Sequence, residues 1–74
     1  MNWDVIQGDW QQFKGKVQER WNKLSDVHLD AIAGKRELLA GKIGEAYGMN
    51  KDDTEKQIKE FEENNKDYQP KKPN

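Results

Sequence analysis

Nine positions of this chain recur 26 residues further on with their chemistry retained. Adding 26 to Ile6, Gly8, Phe13, Gly15, Lys16, Val17, Glu19, Trp21 and Asn22 gives Ile32, Gly34, Leu39, Gly41, Lys42, Ile43, Glu45, Tyr47 and Gly48. Glycines, charges and apolar positions match together, which a shared helical period does not require, so the pattern is an internal duplication of period 26. In 74 residues there is room for two such units and one more element, all within a single domain.

The unit is helical. Trp3, Ile6, Trp10, Phe13, Val17, Trp21 and Leu24 are separated by 3, 4, 3, 4, 4 and 3 residues. At ~100° per residue these side chains fall within roughly an 80° arc of one helix, an amphipathic stripe. Gly8 and Gly15 lie off the stripe, where each costs about 1 kcal/mol relative to Ala. Either another backbone approaches closely there or the helix is weak near Gly8. Residues 9–21 are the clearest helix.

That helix is expected to stop near Asn22, a residue that tolerates the left-handed position after a helix end. A second start follows, with Ser25 as N-cap, Asp26 at the positive end of the dipole, and Leu24 and Leu29 spaced as a hydrophobic staple. The apolar series Leu29, Ile32, Leu39, Ile43, Tyr47 ends at Gly48, a strong C-terminal signal. Met49 just beyond is placed to cover Ile43. Arg36 breaks this series where the duplication calls for the counterpart of Trp10. With Gly34 beside it, the break predicts two helices, about 26–33 and 35–47, although a single long helix also fits the stripe. A last helix, about 52–65, has an acidic start with Asp52 and Glu55 spaced as a capping box. Ile58 and Phe61 form its inner side, and Glu55–Lys59, Lys56–Glu60, Lys59–Glu63 and Glu62–Lys66 are spaced as opposite-charge pairs. The residue pattern therefore predicts an all-α bundle of about four helices over 1–66, with 67–74 a disordered polar tail.

Composition narrows the function classes. The charges are 13 basic against 14 acidic, and the balance argues against a dedicated polyanion or anionic-membrane binder. Without cysteine there is no disulfide, thiolate metal ligand or thiol nucleophile. No apolar run is long enough to span a bilayer, and the N-terminus has neither a basic stretch nor an apolar segment of a secretory signal, so the expected location is cytoplasmic.

Four features could carry chemistry. Ser25, Asp26, His28 and Asp30 hold the residue types of a nucleophilic triad, yet they are neighbours in one exposed helical turn rather than groups converging on a reacting atom. His28 could ligate a metal only with Asp26 or Asp30, and the spacing lacks the Gly and distal Glu of a calcium loop. Gly-Lys occurs at 15–16, 34–35 and 41–42, but the glycine spacing, the residue after Lys and the absence of a preceding strand all depart from a phosphate-binding loop. Finally, Lys14, Lys16, Arg20 and Lys23 form one basic cluster, and Lys35, Arg36 and Lys42 another. The candidate phosphate-contacting set is Lys14, Lys16, Arg20, Lys35 and Lys42. The simpler reading is a solvated face with interspersed acids. The three Trp lie on the apolar stripe and are expected in the core rather than stacked on bases.

The same residues carry a family resemblance. Trp10-x-x-Phe13-Lys14-Gly15-Lys16-Val17-x-Glu19-x-Trp21-Asn22-Lys23-Leu24-Ser25-Asp26 resembles the first signature of the CsbD-like family of small bacterial proteins. Gly34-Lys35-Arg36-x-Leu38-x-x-Gly41-Lys42-Ile43-x-Glu45-x-Tyr47-Gly48 resembles the second. The resemblance covers about residues 8–63, and Asn22 stands where the family often has Gly. It implies a bundle of four or five helices arranged as two packed hairpins, favouring a break near Gly34. It also implies association with general stress responses, with no catalytic residue to carry over. The expected function is thus a non-enzymatic stress-response protein without a cofactor and monomeric, with a nucleic-acid-binding module or a small protein-binding adaptor as the alternatives.

Overall fold

The computed structural model describes residues 1–68, and residues 69–74, most of the expected tail, lie outside them. Five helices follow in order: α1 Trp3–Gly8, α2 Trp10–Arg20, α3 Asp26–Ile32, α4 Arg36–Tyr47 and α5 Lys51–Asn64. No strand occurs among the described residues. Helix α4 packs on both α3 and α5, and α1 packs on α2.

Side-chain caps open three of the five helices. The Asn2 side chain accepts the Asp4 amide at 2.8 Å to open α1. Ser25 accepts the His28 amide at 3.4 Å to open α3, as its position predicts. At the end of α4, Gly48 takes φ 62°, the left-handed conformation that glycine adopts without steric cost.

Three expectations are corrected. Asn22 is not left-handed, since Ala33 is the sole described non-glycine residue with positive φ. Helix α2 instead ends as Trp21 leaves helical geometry (φ −127°, ψ 77°), and the Leu24 amide closes a turn on the Trp21 carbonyl at 3.1 Å. Helix α5 starts at Lys51, one residue before the expected 52: Asn50, not Asp52, is its N-cap and accepts the Asp53 amide at 2.8 Å. Asn competes as well as Asp for that position, and its carbonyl also accepts the Thr54 hydroxyl at 2.8 Å. None of the four spaced charge pairs of α5 closes among the described residues: Glu55 and Glu62 pair with Arg36, Glu60 lies nearest Arg20, and Glu63 pairs with Lys66.

Both repeat units are broken, by different means. Between α3 and α4 the backbone is left-handed at Ala33 (φ 51°) and Gly34 (φ 81°), and a Cβ on Gly34 would lie 2.8 Å from the Gln7 Cα. Only glycine fits a backbone approached that closely. Between α1 and α2 no residue has positive φ, and Asp9 alone departs from helical angles (φ −120°, ψ 23°). Nothing lies within 4 Å of a Cβ added at Gly8 or Gly15. Helix weakness rather than close approach is therefore what Gly8 marks.

The stripe is the core. Ile6, Trp10, Phe13, Val17, Trp21 and Leu24 are buried, joined by Leu29, Ile32, Leu39 and Ile43 from the second unit and Ile58 and Phe61 from α5. Phe13 is central: the rings of Trp3, Trp10, Phe61 and Tyr68 lie 6.3, 6.3, 5.8 and 4.8 Å from it. Tyr68 thus packs on the core two residues beyond the boundary expected at 66. Each indole N–H has a partner from another element: Trp3 donates to Glu62 at 2.6 Å, Trp10 to the Leu29 carbonyl at 2.8 Å, and Trp21 to Gln57 at 3.0 Å. These satisfied donors let three large amphipathic rings stay inside without an orphaned polar group.

Candidate functional site

The five basic residues singled out from the sequence do not share one cleft. Lys14, half-buried on α2, pairs with Asp30 of α3 at 3.4 Å and borders a cleft of about 590 Å³ between the α1–α2 joint and the end of α3. Lys16 and Arg20, one turn apart on α2, border a smaller cleft of about 260 Å³ against the end of α5. There the Lys16 ammonium lies 5.8 Å from the Tyr68 ring centre, and Arg20 lies over Trp21 and 4.0 Å from Glu60. Lys35 immediately precedes α4 and opens onto a third cleft, beside Trp3 and Leu38. Lys42 is half-buried on α4. Apart from Lys16 and Arg20, an anion touching one of these groups would not reach another through a common concavity.

The other candidates are committed to structure. Ser25 caps α3, its hydroxyl oxygen accepting the His28 amide, and it makes no bond to the His28 ring among the described residues. The His28 Nδ1 atom is enclosed with no hydrogen-bond partner, while Asp30 is drawn toward Lys14. Among the described residues no three His, Cys, Asp or Glu side chains are grouped to hold a metal.

The densest polar cluster is one that periodicity marked only as an interruption. Arg36, at the start of α4, donates to Glu62 at 3.0 Å and to Glu55 at 3.0 and 3.1 Å. Glu62 also accepts the Trp3 indole, so this junction ties α1, α4 and α5. The bond from Arg36 holds the Glu55 carboxyl below its usual range. Burial pushes the Glu62 carboxyl up, but the Trp3 and Arg36 bonds together outweigh it and hold that group low as well. Arg36 itself is raised, chiefly by the Glu55 bond. Two carboxylates already saturated by a guanidinium and an indole are poor general acids or bases at neutral pH. A fixed junction is what the chemistry supports.

A second cluster joins the N-terminal residues to Lys66 and Tyr68. The Tyr68 hydroxyl donates to the Asp9 carboxylate, and the α-amino group of Met1 donates to the Lys66 carbonyl at 2.8 Å. Burial, with the adjoining Asp9 carboxylate, pushes the Tyr68 phenol up to about 12. Neither contact has a signal in local periodicity.

The described residues thus define a small all-α protein whose buried and half-buried polar groups serve chiefly as caps, indole partners and ion pairs between helices. The chain belongs to the CsbD-like family, whose model matches residues 4–56. It is 51% identical over 65 residues to the UPF0337 protein YjbJ of Escherichia coli K12, covering 88% of this chain and 94% of that one. A UPF0337 protein of Pectobacterium atrosepticum is 48% identical over 66 residues (89% and 96% of the two chains). Another, of Pseudomonas aeruginosa, is 46% identical over 61 residues (82% and 94%). No solved structure matches the chain. The family is of uncharacterised function, and no catalytic activity is indicated for it. No described helix is long and apolar enough to cross a membrane.

Proposed function

We propose that this chain is a non-enzymatic, cytoplasmic stress-response protein that acts through its charged surface and its abundance, as a monomer built from two packed helical hairpins, one per repeat unit. Family membership carries this reading. It is supported by the commitment of Ser25, Glu55, Glu62 and Asp9 to structural bonds, which leaves no convergent reactive group among the described residues. The test is protein level through osmotic, starvation and stationary-phase challenge, together with survival of a deletion strain. A rise under challenge and reduced survival are expected; flat levels and unchanged survival would sink the reading.

A second reading has Lys14, Lys16, Arg20, Lys35 and Lys42 contacting nucleic-acid phosphates. In its favour, Lys16, Lys35 and Lys42 have no carboxylate within 4.0 Å among the described residues, whereas Lys14 and Arg20 do. Phosphate contacts are strongest at low salt. A DNA titration at low and moderate salt therefore decides it, and no binding at low salt excludes it. A protein-binding adaptor, the third reading, would give a specific, saturable partner.

A further inference from the structure

The two repeat units are broken at equivalent places, yet only one break is locked. The joint at Ala33–Gly34 carries two left-handed residues, so straightening it requires both to cross into the right-handed region. The joint between α1 and α2 departs from a helix at Asp9 alone, whose φ and ψ lie each about 60° from helical values on the same side of the map. Moreover, the apolar stripe from Trp3 to Trp21 already has the spacing of one continuous helix. The bend therefore falls at the weak point that Gly8 marks and is held there by contacts from elsewhere.

Those contacts come mostly from the last described residues. Asp9 sits at the N-cap of α2, but its side chain makes no capping bond. It accepts the Tyr68 hydroxyl instead. Glu62 holds the Trp3 indole and the Lys66 carbonyl holds the Met1 amino group. The bend in turn makes the core contact possible. A straight helix would set the backbones of residues 3 and 13 about 15 Å apart along its axis; across the bend their rings meet edge to face, with centroids 6.3 Å apart.

We propose that Tyr68 is a latch on a hinge at Asp9. Latched, the Tyr68 hydroxyl on Asp9, together with the Glu62 and Lys66 contacts, holds α1 folded back over Phe13. Released, Asp9 relaxes to helical angles, α1 and α2 merge into one helix over residues 3–20, and Trp3 leaves the Phe13 ring. Tyr68 packs on that same ring at 4.8 Å. Release of the latch thus uncovers one side of Phe13, making the C-terminal segment a built-in cover for the core.

Two variants break the same bond from opposite sides. Tyr68→Phe removes one oxygen and keeps the ring on Phe13; Asp9→Ala removes the acceptor and favours helical angles. In NMR spectra of the full chain, each is expected to move the Cα shifts of Gly8, Asp9 and Trp10 toward helical values. Amide exchange at those residues should slow by about ten-fold, with exchange of the Trp3 indole proton faster by a similar factor. Adding Tyr68→Phe to Asp9→Ala should change nothing further. The proposal is overturned if both single variants keep the interruption at Gly8–Trp10, if residues 3–8 lose helical shifts instead, or if the two effects add in the double variant.

Discussion

Replacing Arg36 with Met should destabilise the protein at neutral pH and do almost nothing in acid. Methionine keeps the length and apolar bulk of the side chain, so the change isolates the guanidinium. At pH 7 it removes two ion pairs with contacts near 3.0 Å and leaves Glu55 and Glu62 facing each other. A hydrogen bond to a charged group is worth about 1.5–3 kcal/mol when shielded. Here the three side chains are 28%, 33% and 28% exposed, so solvent screening reduces each pair to about 1 kcal/mol. The loss is then about 2 kcal/mol, a large share of the ~3–10 kcal/mol expected for a domain of this size. It corresponds to a fall of roughly 10 °C in Tm.

The acid limb follows from proton linkage. Both carboxyls are held below their ordinary value of 4.5 in the folded state. Their contribution is complete above that value and is lost as pH falls through the lower folded-state range. The raised value of Arg36 has no bearing at these pH values, because it stays charged throughout. Thermal melts of parent and variant followed by far-UV circular dichroism at pH 7, 5 and 2 measure the difference directly. The gap should be widest at pH 7 and close toward pH 2. A gap independent of pH would show that Arg36 acts through packing alone, and a variant more stable at pH 7 would refute the ion-pair account.

The glycines should divide by site. Gly34→Ala should cost more than 1 kcal/mol, on the order of a strained left-handed residue, because its φ is 81° and its Cβ would meet the Gln7 backbone. Gly15→Ala and Gly41→Ala, with nothing within 4 Å, should each add up to about 1 kcal/mol through helix propensity. Urea titrations of the three variants check the opposite signs. Trp10→Ala and Trp21→Ala should each lose about 3–5 kcal/mol, removing a buried ring and its indole bond to the Leu29 carbonyl or to Gln57; melting like the parent would show that the stripe is not the core. Tyr68→Ala should lower Tm more than Tyr68→Phe, since the first also strips a ring from Phe13.

Several features of the fold were legible before any coordinates because each is a local property of the chain. The 3–4 spacing names the buried face, and every residue from Ile6 to Leu24 on the stripe is indeed buried. Ser25 and Gly48 carry their capping roles in their own chemistry. The break at Gly34 showed as a glycine beside an interrupted stripe. The candidate site was far less legible. Five basic residues look like a set when counted along the chain, but four of them are divided among three clefts, and two meet carboxylates on other helices. Distance in sequence carried no sign of that.

What the sequence alone determined about this protein is its duplicated helical pattern, the inner face of each unit and several of its caps, because these depend on side chains within a few residues of one another. Tertiary structure decided the partners of the polar groups. Arg36, an apparent defect in the second unit, becomes the tie between α4 and α5 only when Glu55 and Glu62 are brought beside it. The bend at Asp9 is likewise held by a tyrosine 59 residues away. A helix period can name a face, but it does not say which distant donor will satisfy a charge once that face is buried.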